Sequence, residues 1–166
     1  GHRRENFGKR FLNICESLKI LAESNPDVFI LYPVHLNPNV RKPVNRLLSN
    51  INNIKLVEPF QYTEFLYLMS LSYIILTDSG GIQEEAPTLG IPVLLMRDTT
   101  ERPEAISSGV VKLIGTNTNN IVKESQKLLD NKHRYKEMSN STNPYGDGTA
   151  SSKIVDFFRS MIKEEV

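Results

Sequence analysis

The sequence predicts an α/β domain with a doubly wound parallel sheet. Short apolar, β-branched segments alternate with segments of helical periodicity along the chain, which is the pattern of strands joined by crossover helices. One of these segments, 74–76, is apolar throughout, as expected of a strand that is buried on both faces. The length of 166 residues and the hydrophobic content of 39% suit one domain with a single core.

In the first half of the chain, apolar residues at helical spacing predict a helix that Asn6 can cap and Pro26 ends. We then expect a strand over 28–32, a helix over 39–48 and a strand over 54–57. The prolines of the 33–38 loop hold His35 at the carboxyl end of the first of these strands.

The second half continues the alternation. We expect a helix over 63–71, a strand over 73–77, a helix closed by Gly90, a strand over 91–96, a short helix over 103–108, a strand over 110–114 and a closing helix over roughly 149–163. Cys15 lies in the first helical pattern and is expected in the core, which excludes an internal disulfide and a cysteine-based zinc site.

Charge and hydropathy limit the classes of partner. The net charge is only +1 and the basic residues are dispersed, so we expect no nucleic-acid partner. We see no apolar run of membrane-spanning length and no signal peptide, so we expect a cytoplasmic protein without a membrane partner.

The Asp-Ser-Gly-Gly corner at 78–81 is the strongest functional signal. Asp78 or Ser79 can cap the following helix, and glycines without Cβ atoms let a ligand approach its first amides, so the corner can hold a phosphate. The alternative is a tight turn without a ligand. The charged loop 97–104 follows the next strand, and because ligands bind at the carboxyl ends of strands, both segments are expected to face one crevice.

Four segments carry a resemblance to a known family, the non-hydrolysing UDP-N-acetylglucosamine 2-epimerases. They are 2–6, 33–40, 78–87 and 97–104. The resemblance spans the chain but corresponds only to the C-terminal, Rossmann-like half of a two-domain protein with the glycosyltransferase-B (GT-B) fold. It implies that 1–166 is a UDP-binding domain whose N-terminal partner domain is absent.

Members of this family are isomerases, which interconvert UDP-N-acetylglucosamine and UDP-N-acetylmannosamine by eliminating and re-adding UDP. The resemblance implies a role in cell-surface polysaccharide biosynthesis, no cofactor, no metal, and a homodimer as the full protein. It assigns the proton-abstracting carboxylates to the absent half, so we expect this fragment alone to be inactive. The alternatives are a non-catalytic nucleotide-sugar binding module and a glycosyltransferase fragment.

The resemblance also assigns roles to individual residues. His2 is catalytic and assists the departure of UDP, while Arg3 and His35 match a second, regulatory UDP-N-acetylglucosamine site. The substrate-binding residues are Ser79, Gly80 and Gly81 for the diphosphate, Arg102 for its charge, Glu85 for the ribose, and Phe60 and Phe65 beside the uracil, with only a backbone contact carried over for Phe60.

Several of these residues have simpler explanations. Phe65 lies at helical spacing with Leu68 and Met69 and can be a core residue, and Glu85 can be a solvated first-turn charge. His2 can be an ordinary terminal histidine or an expression scar. His35 can serve only to stabilise its proline-flanked loop.

Strand order gives one further expectation. If the first helix is a crossover, the strand that feeds it ends at Gly1 and is absent from the sequence, and its place is between the strands that end at Tyr32 and Thr77. These two strands should therefore not pair with each other. On this basis, residues 1–166 are expected to be an ordered remnant of a longer polypeptide.

Overall fold

The computed structural model describes residues 1–164, in which parallel strands alternate with helices. In chain order the elements are α1 (Lys9–Ser24), β1 (Ile30–Pro33), α2 (Pro38–Leu48), β2 (Ile54–Val57), α3 (Tyr62–Ser70), β3 (Ile75–Thr77), α4 (Gly80–Glu85), β4 (Val93–Leu95), α5 (Pro103–Ser108), β5 (Val111–Leu113), α6 (Thr118–Asp130), α7 (Lys132–Ser139) and α8 (Ala150–Glu164). Two 3-10 helices cover Arg4–Asn6 and Ala86–Leu89.

The strands form two parallel sheets. In one, β1 lies beside β2, with Ile30 opposite Ile54. In the other, the order is β3-β4-β5, with Val93 opposite both Ile75 and Val111. Within residues 1–164, β1 does not pair with β3, as the predicted strand order requires. The α/β class with parallel, helix-connected strands is confirmed.

The side chains of β4 show how the sheet is covered on both faces. Leu94 and Met96 pack in a cluster with α1, α2 and α6, whereas Val93 and Leu95 pack in a second cluster with α5 and the second 3-10 helix. Alternation of this kind follows from the two-residue period of a strand. Tyr32 of β1 belongs to the first cluster, so the two sheets share one core.

Residues 1–3 connect the carboxyl ends of the two sheets. The Tyr32 hydroxyl donates to the Gly1 carbonyl (3.2 Å), and the amides of His2 and Arg3 both donate to Asp78, immediately after β3. The segment that begins the chain therefore lies at the sheet edge where ligands bind in such folds.

The first helix starts later than predicted. Asn6 does not cap α1, which begins at Lys9 after Gly8 in a positive-φ conformation (φ 81°). Asn6 is fully buried instead, and its amide donates to Asp78 and to the Met96 carbonyl. A polar contact made across the fold thus overrides the local capping preference.

The other element predictions hold with small shifts. Strands predicted over 28–32 and 73–77 are observed as Ile30–Pro33 and Ile75–Thr77, because ladder partners exist only there. The second 3-10 helix ends at Gly90 with φ 68°, and Cys15 is buried, both as predicted. No helix within 1–164 has the length and apolar character needed to cross a membrane.

Candidate functional site

The corner between β3 and α4 places a buried carboxylate before a serine and two glycines. The prediction that Asp78 or Ser79 caps α4 is wrong: among the described residues, no side chain makes a cap hydrogen bond there. Asp78 is fully buried and turns toward residues 2–6 instead. The start of α4 is therefore not capped by a side chain of its own corner.

The two glycines have different surroundings. A Cβ atom on Gly80 would lie 2.8 Å from Glu101 Oε1 and 3.1 Å from Arg3 Nη2, so the absence of a side chain lets these charged groups approach the backbone. A Cβ atom on Gly81 would meet only Glu85 Oε1, at 4.0 Å. Gly81 therefore faces open space, with the Glu85 carboxylate reaching back toward it from the end of α4.

Hydrogen bonds fasten the loop after β4 to α4. Gln83, fully buried on α4, donates to the Ser79 carbonyl (3.1 Å) and accepts from the Thr100 hydroxyl (2.6 Å). The Thr100 hydroxyl in turn accepts from the Arg102 amide (3.0 Å). These contacts bring the corner and the 97–104 loop to one side of the sheet edge, as the sequence predicted.

Arg97 and Glu101 organise the same loop. The Arg97 guanidinium, only 7% exposed, donates to Glu5 (2.7 Å) and to Glu101 (2.5 Å). Burial alone would lower the pKa of Arg97, but the hydrogen bonds to Glu5 and Glu101 outweigh it and the pKa is raised. Arg97 is thus a fixed positive charge engaged in holding the structure.

Arg102 points to α4 rather than to solvent. Its guanidinium forms an ion pair with Glu84, and both side chains are more than one-third exposed. The hydrogen bond to Glu84 is the main reason that the pKa of Arg102 is raised. Arg102 therefore lies beside the helix that carries the glycines, but an incoming anion would compete with Glu84 for it.

Three predicted residues, His2, Arg3 and His35, meet beside the corner. The His2 and His35 rings are stacked, with centroids 5.1 Å apart and an interplanar angle of 10°. His2 Nδ1 lies 3.6 Å from Asp78 Oδ1. Arg3 pairs with Glu101 (3.1 Å) and so lies over Gly80. The predicted catalytic residue and the two predicted regulatory residues thus form one group.

Burial and charge set the protonation behaviour of this group. Burial lowers the pKa of His2; Asp78 opposes this, whereas His35 and Arg3 reinforce it. Burial alone would raise the pKa of Asp78, but the hydrogen bonds from Arg3, His2 and Asn6 lower it. Asp78 is therefore a buried anion stabilised by donors from the 1–6 segment.

The predicted uracil neighbours lie around the start of α3. Gln61 caps this helix in a capping box with Glu64, and Phe60 and Phe65 on either side of the cap are partly exposed. Neither phenylalanine belongs to the two hydrophobic clusters formed by the described residues. Core packing therefore does not account for Phe65.

Sequence reasoning missed three residues that build the site: Asn6, Gln83 and Thr100. Each acts through a contact between segments distant in sequence, which no local pattern reveals. Asp78 was noticed only as a possible cap. Its position directly after a buried strand, at the carboxyl edge, was a usable signal for a site carboxylate.

Two surface concavities lie elsewhere. One, of about 610 Å³, is lined by residues of α1, α6 and α7, and the other, of about 340 Å³, lies between α6, α7 and the strands. None of their lining residues belongs to the corner or to the 97–104 loop. The candidate site is recognised by the chemistry of its residues and not by an enclosed cavity, which an open sheet edge need not form.

Fold and site together define a class: α/β domains with parallel, helix-connected strands and a candidate anion site at the carboxyl edge of the strands. Comparison with known proteins narrows the class to one family. The family model described as UDP-N-acetylglucosamine 2-epimerase matches residues 1–159. The chain belongs to this family.

The individual relatives that the chain resembles belong to the same family. The chain is 65% identical over 156 residues to a UDP-N-acetylglucosamine 2-epimerase of Campylobacter jejuni, covering 94% of the chain and 41% of that protein. It is 54% identical over 160 residues to that of Escherichia coli K12, covering 96% and 43%. The structure of the Neisseria meningitidis enzyme bound to UDP-GlcNAc superimposes with a TM-score of 0.90 at 53% identity, covering 96% and 43%. The chain thus spans less than half the length of these relatives.

Proposed function

We propose that this chain is the UDP-binding, C-terminal half of a non-hydrolysing epimerase that interconverts UDP-N-acetylglucosamine and UDP-N-acetylmannosamine. The observation that carries the proposal is the hydrogen-bonded connection from Ser79 through Gln83 and Thr100 to Arg102. It joins an uncapped helix start to an arginine on the neighbouring loop. Family membership supplies the identity of the ligand.

The chemistry requires a site that stabilises a leaving diphosphate. Negative charge develops on UDP as the bond to the sugar breaks, and preorganised donors and cations favour that change. In the proposed arrangement, the diphosphate is bound by Ser79, Gly80 and Gly81. Arg102 gives up its ion pair with Glu84 and binds the diphosphate instead. His2 lies at the same edge and assists the departure of UDP as an acid or cation.

The remaining contacts fix the nucleoside. In this arrangement Glu85, whose carboxylate reaches back toward Gly81, accepts hydrogen bonds from the ribose hydroxyls. The partly exposed ring of Phe65 offers a face to the uracil, and Phe60 offers its backbone. Arg3 and His35 are proposed to contribute to a second, regulatory nucleotide-sugar site.

The proposed function also requires an N-terminal half of the protein. Residues 1–166 form the C-terminal domain in this scheme, and the carboxylates that take the C2 proton of the sugar come from an N-terminal domain, in a protein that assembles as a homodimer. The coverage of 41–43% of the relatives' length supports this division. The intact source protein should then have a mass well above 18.9 kDa, which mass spectrometry can measure.

The decisive test is calorimetric titration of the chain with UDP. Arg102→Ala should weaken UDP binding about 10- to 100-fold, because a charge-assisted contact to the diphosphate is lost. Arg159→Ala, which removes an exposed arginine paired with Asp156 on α8, is the control and should bind UDP normally. Unchanged affinity in the Arg102 variant would overturn the diphosphate assignment.

A further inference from the structure

Two side chains contact the His2 ring: that of Asp78 at its edge and that of His35 at its face. At its edge, Nδ1 faces the buried Asp78 carboxylate at 3.6 Å, which is too long for a hydrogen bond. This contact is electrostatic and leaves the plane of the ring free to tilt. The constraint on the plane comes from the His35 ring, which lies nearly parallel to it at 5.1 Å.

A hydrogen bond holds the His35 ring in its orientation. Its Nδ1 accepts a hydrogen bond from the Asn37 amide (3.1 Å), which fixes the ring and requires Nδ1 to be unprotonated. The Asn37 side chain in turn accepts from the Asn39 amide (2.9 Å) and caps α2. The His35 ring is therefore anchored to the start of a helix.

We propose that His35 is a positioning residue for His2: it holds the imidazole plane so that Nδ1 faces Asp78 and Nε2 is directed away from that carboxylate, toward the ligand. The inference rests on the proposed function, because it assumes that His2 acts on the departing UDP. It assigns His35 a direct contact with the catalytic ring, in addition to the proposed role at a second site.

The arrangement has a chemical consequence. The Asp78 charge favours a proton on Nδ1 of His2, so Nε2 is the nitrogen that exchanges a proton with the ligand. The His35 ring covers one face of His2, and burial lowers the pKa of His2, so loss of this cover should raise that pKa. The charged and titratable side chains that face His2 are those of Asp78, His35 and Arg3.

The test is imidazole NMR of the chain across neutral pH. The third histidine, His133, is 84% exposed on α7 and serves as an internal reference. Nitrogen shifts report the tautomer of His2, and the titration midpoint of His2 reports how well its ring is covered. In the unaltered chain we expect the Nδ1–H tautomer and a titration of His2 that depends on His35.

Two variants separate the functions of the His35 ring. His35→Ala removes the stacked ring, so His2 becomes less buried, its titration midpoint should rise and its tautomer preference should be lost. His35→Phe keeps an aromatic face over His2, so both the midpoint and the Nδ1–H tautomer should be retained. The His133 signals should be the same in all three proteins.

The outcomes distinguish this inference from the proposed function. If His35→Ala leaves both the tautomer and the midpoint of His2 unchanged, His35 does not position the ring and the inference is overturned. If the tautomer and midpoint of His2 depend on His35 but the chain does not bind UDP, the ring geometry stands and the proposed function fails. If UDP binds but this dependence is absent, only the inference fails.

Discussion

At the scale of single residues, Asp78 contributes most to holding the site together. Its fully buried carboxylate accepts from the amides of His2 and Arg3 and from the Asn6 side chain. The charge is tolerated in the interior because several donors face it. Loss of the charge would leave these donors without an adequate partner.

Asp78→Asn should lower the free energy of unfolding at pH 7 by about 1.5–3 kcal/mol, the range for a hydrogen bond to a buried charged group. Because the pKa of Asp78 is lowered by folding, its stabilisation is complete above its ordinary value of 3.8 and is lost as the pH falls through the folded value. Urea denaturation across this range measures both effects.

The control for the Asp78 experiment is Asp156→Asn, at an exposed position on α8. It should leave the free energy of unfolding nearly unchanged, since exposed ion pairs contribute little. The acid-dependent loss of stability should be smaller in the Asp78 variant than in the unaltered chain. Equal pH profiles for the two would show that Asp78 is not the buried anion described.

At the scale of elements, the site depends on how the 97–104 loop is attached to α4. The Thr100 hydroxyl is the connecting group, because it donates to buried Gln83 and accepts from the Arg102 amide. A loop of charged residues has little apolar surface to hold it in place. Its conformation therefore depends on a few polar contacts.

Thr100→Val keeps the side-chain shape but removes the hydroxyl. It should lower the free energy of unfolding by about 1–3 kcal/mol, because the Gln83 oxygen is left buried without a donor. It should also weaken UDP binding, since Arg102 loses its support. Thr99→Val, at the exposed neighbouring position, is the matched control and should change neither quantity; denaturation and calorimetry measure them.

At the scale of the whole molecule, the described chain contains two parallel sheets. Its two sheets share a core, yet β1 and β3 are not paired within residues 1–164. The candidate residues lie along the carboxyl edge, where residues 1–3 meet Tyr32 and Asp78. A ligand bound there would be contacted by this chain from one side only.

The 166-residue chain should bind UDP weakly and should not epimerise UDP-N-acetylglucosamine. Half of a crevice buries only part of the ligand, and the proposed proton-abstracting carboxylates belong to the other half. Proton NMR of the sugar C2 position, with a full-length relative as positive control, measures turnover. Turnover by the purified chain alone would contradict the division of labour between the two halves.

The sequence by itself determined the element order, the parallel α/β class and the segments that carry the chemistry. These follow from local signals: apolar periodicity, prolines that end elements, and glycines at special positions such as Gly90. The corner at 78–81 and the loop at 97–104 were recognisable because each directly follows a strand. Family resemblance then supplied the expected ligand.

Only the tertiary structure decided which side chains face one another. Asn6 is a local capping residue by sequence, but in the fold it is a buried donor to Asp78, 72 positions away. Likewise, the stack of His2 on His35 and the connection of Thr100 to Gln83 join separate segments. Hydrogen bonds to buried groups are worth more than a cap in water, so contacts across the fold override local preference.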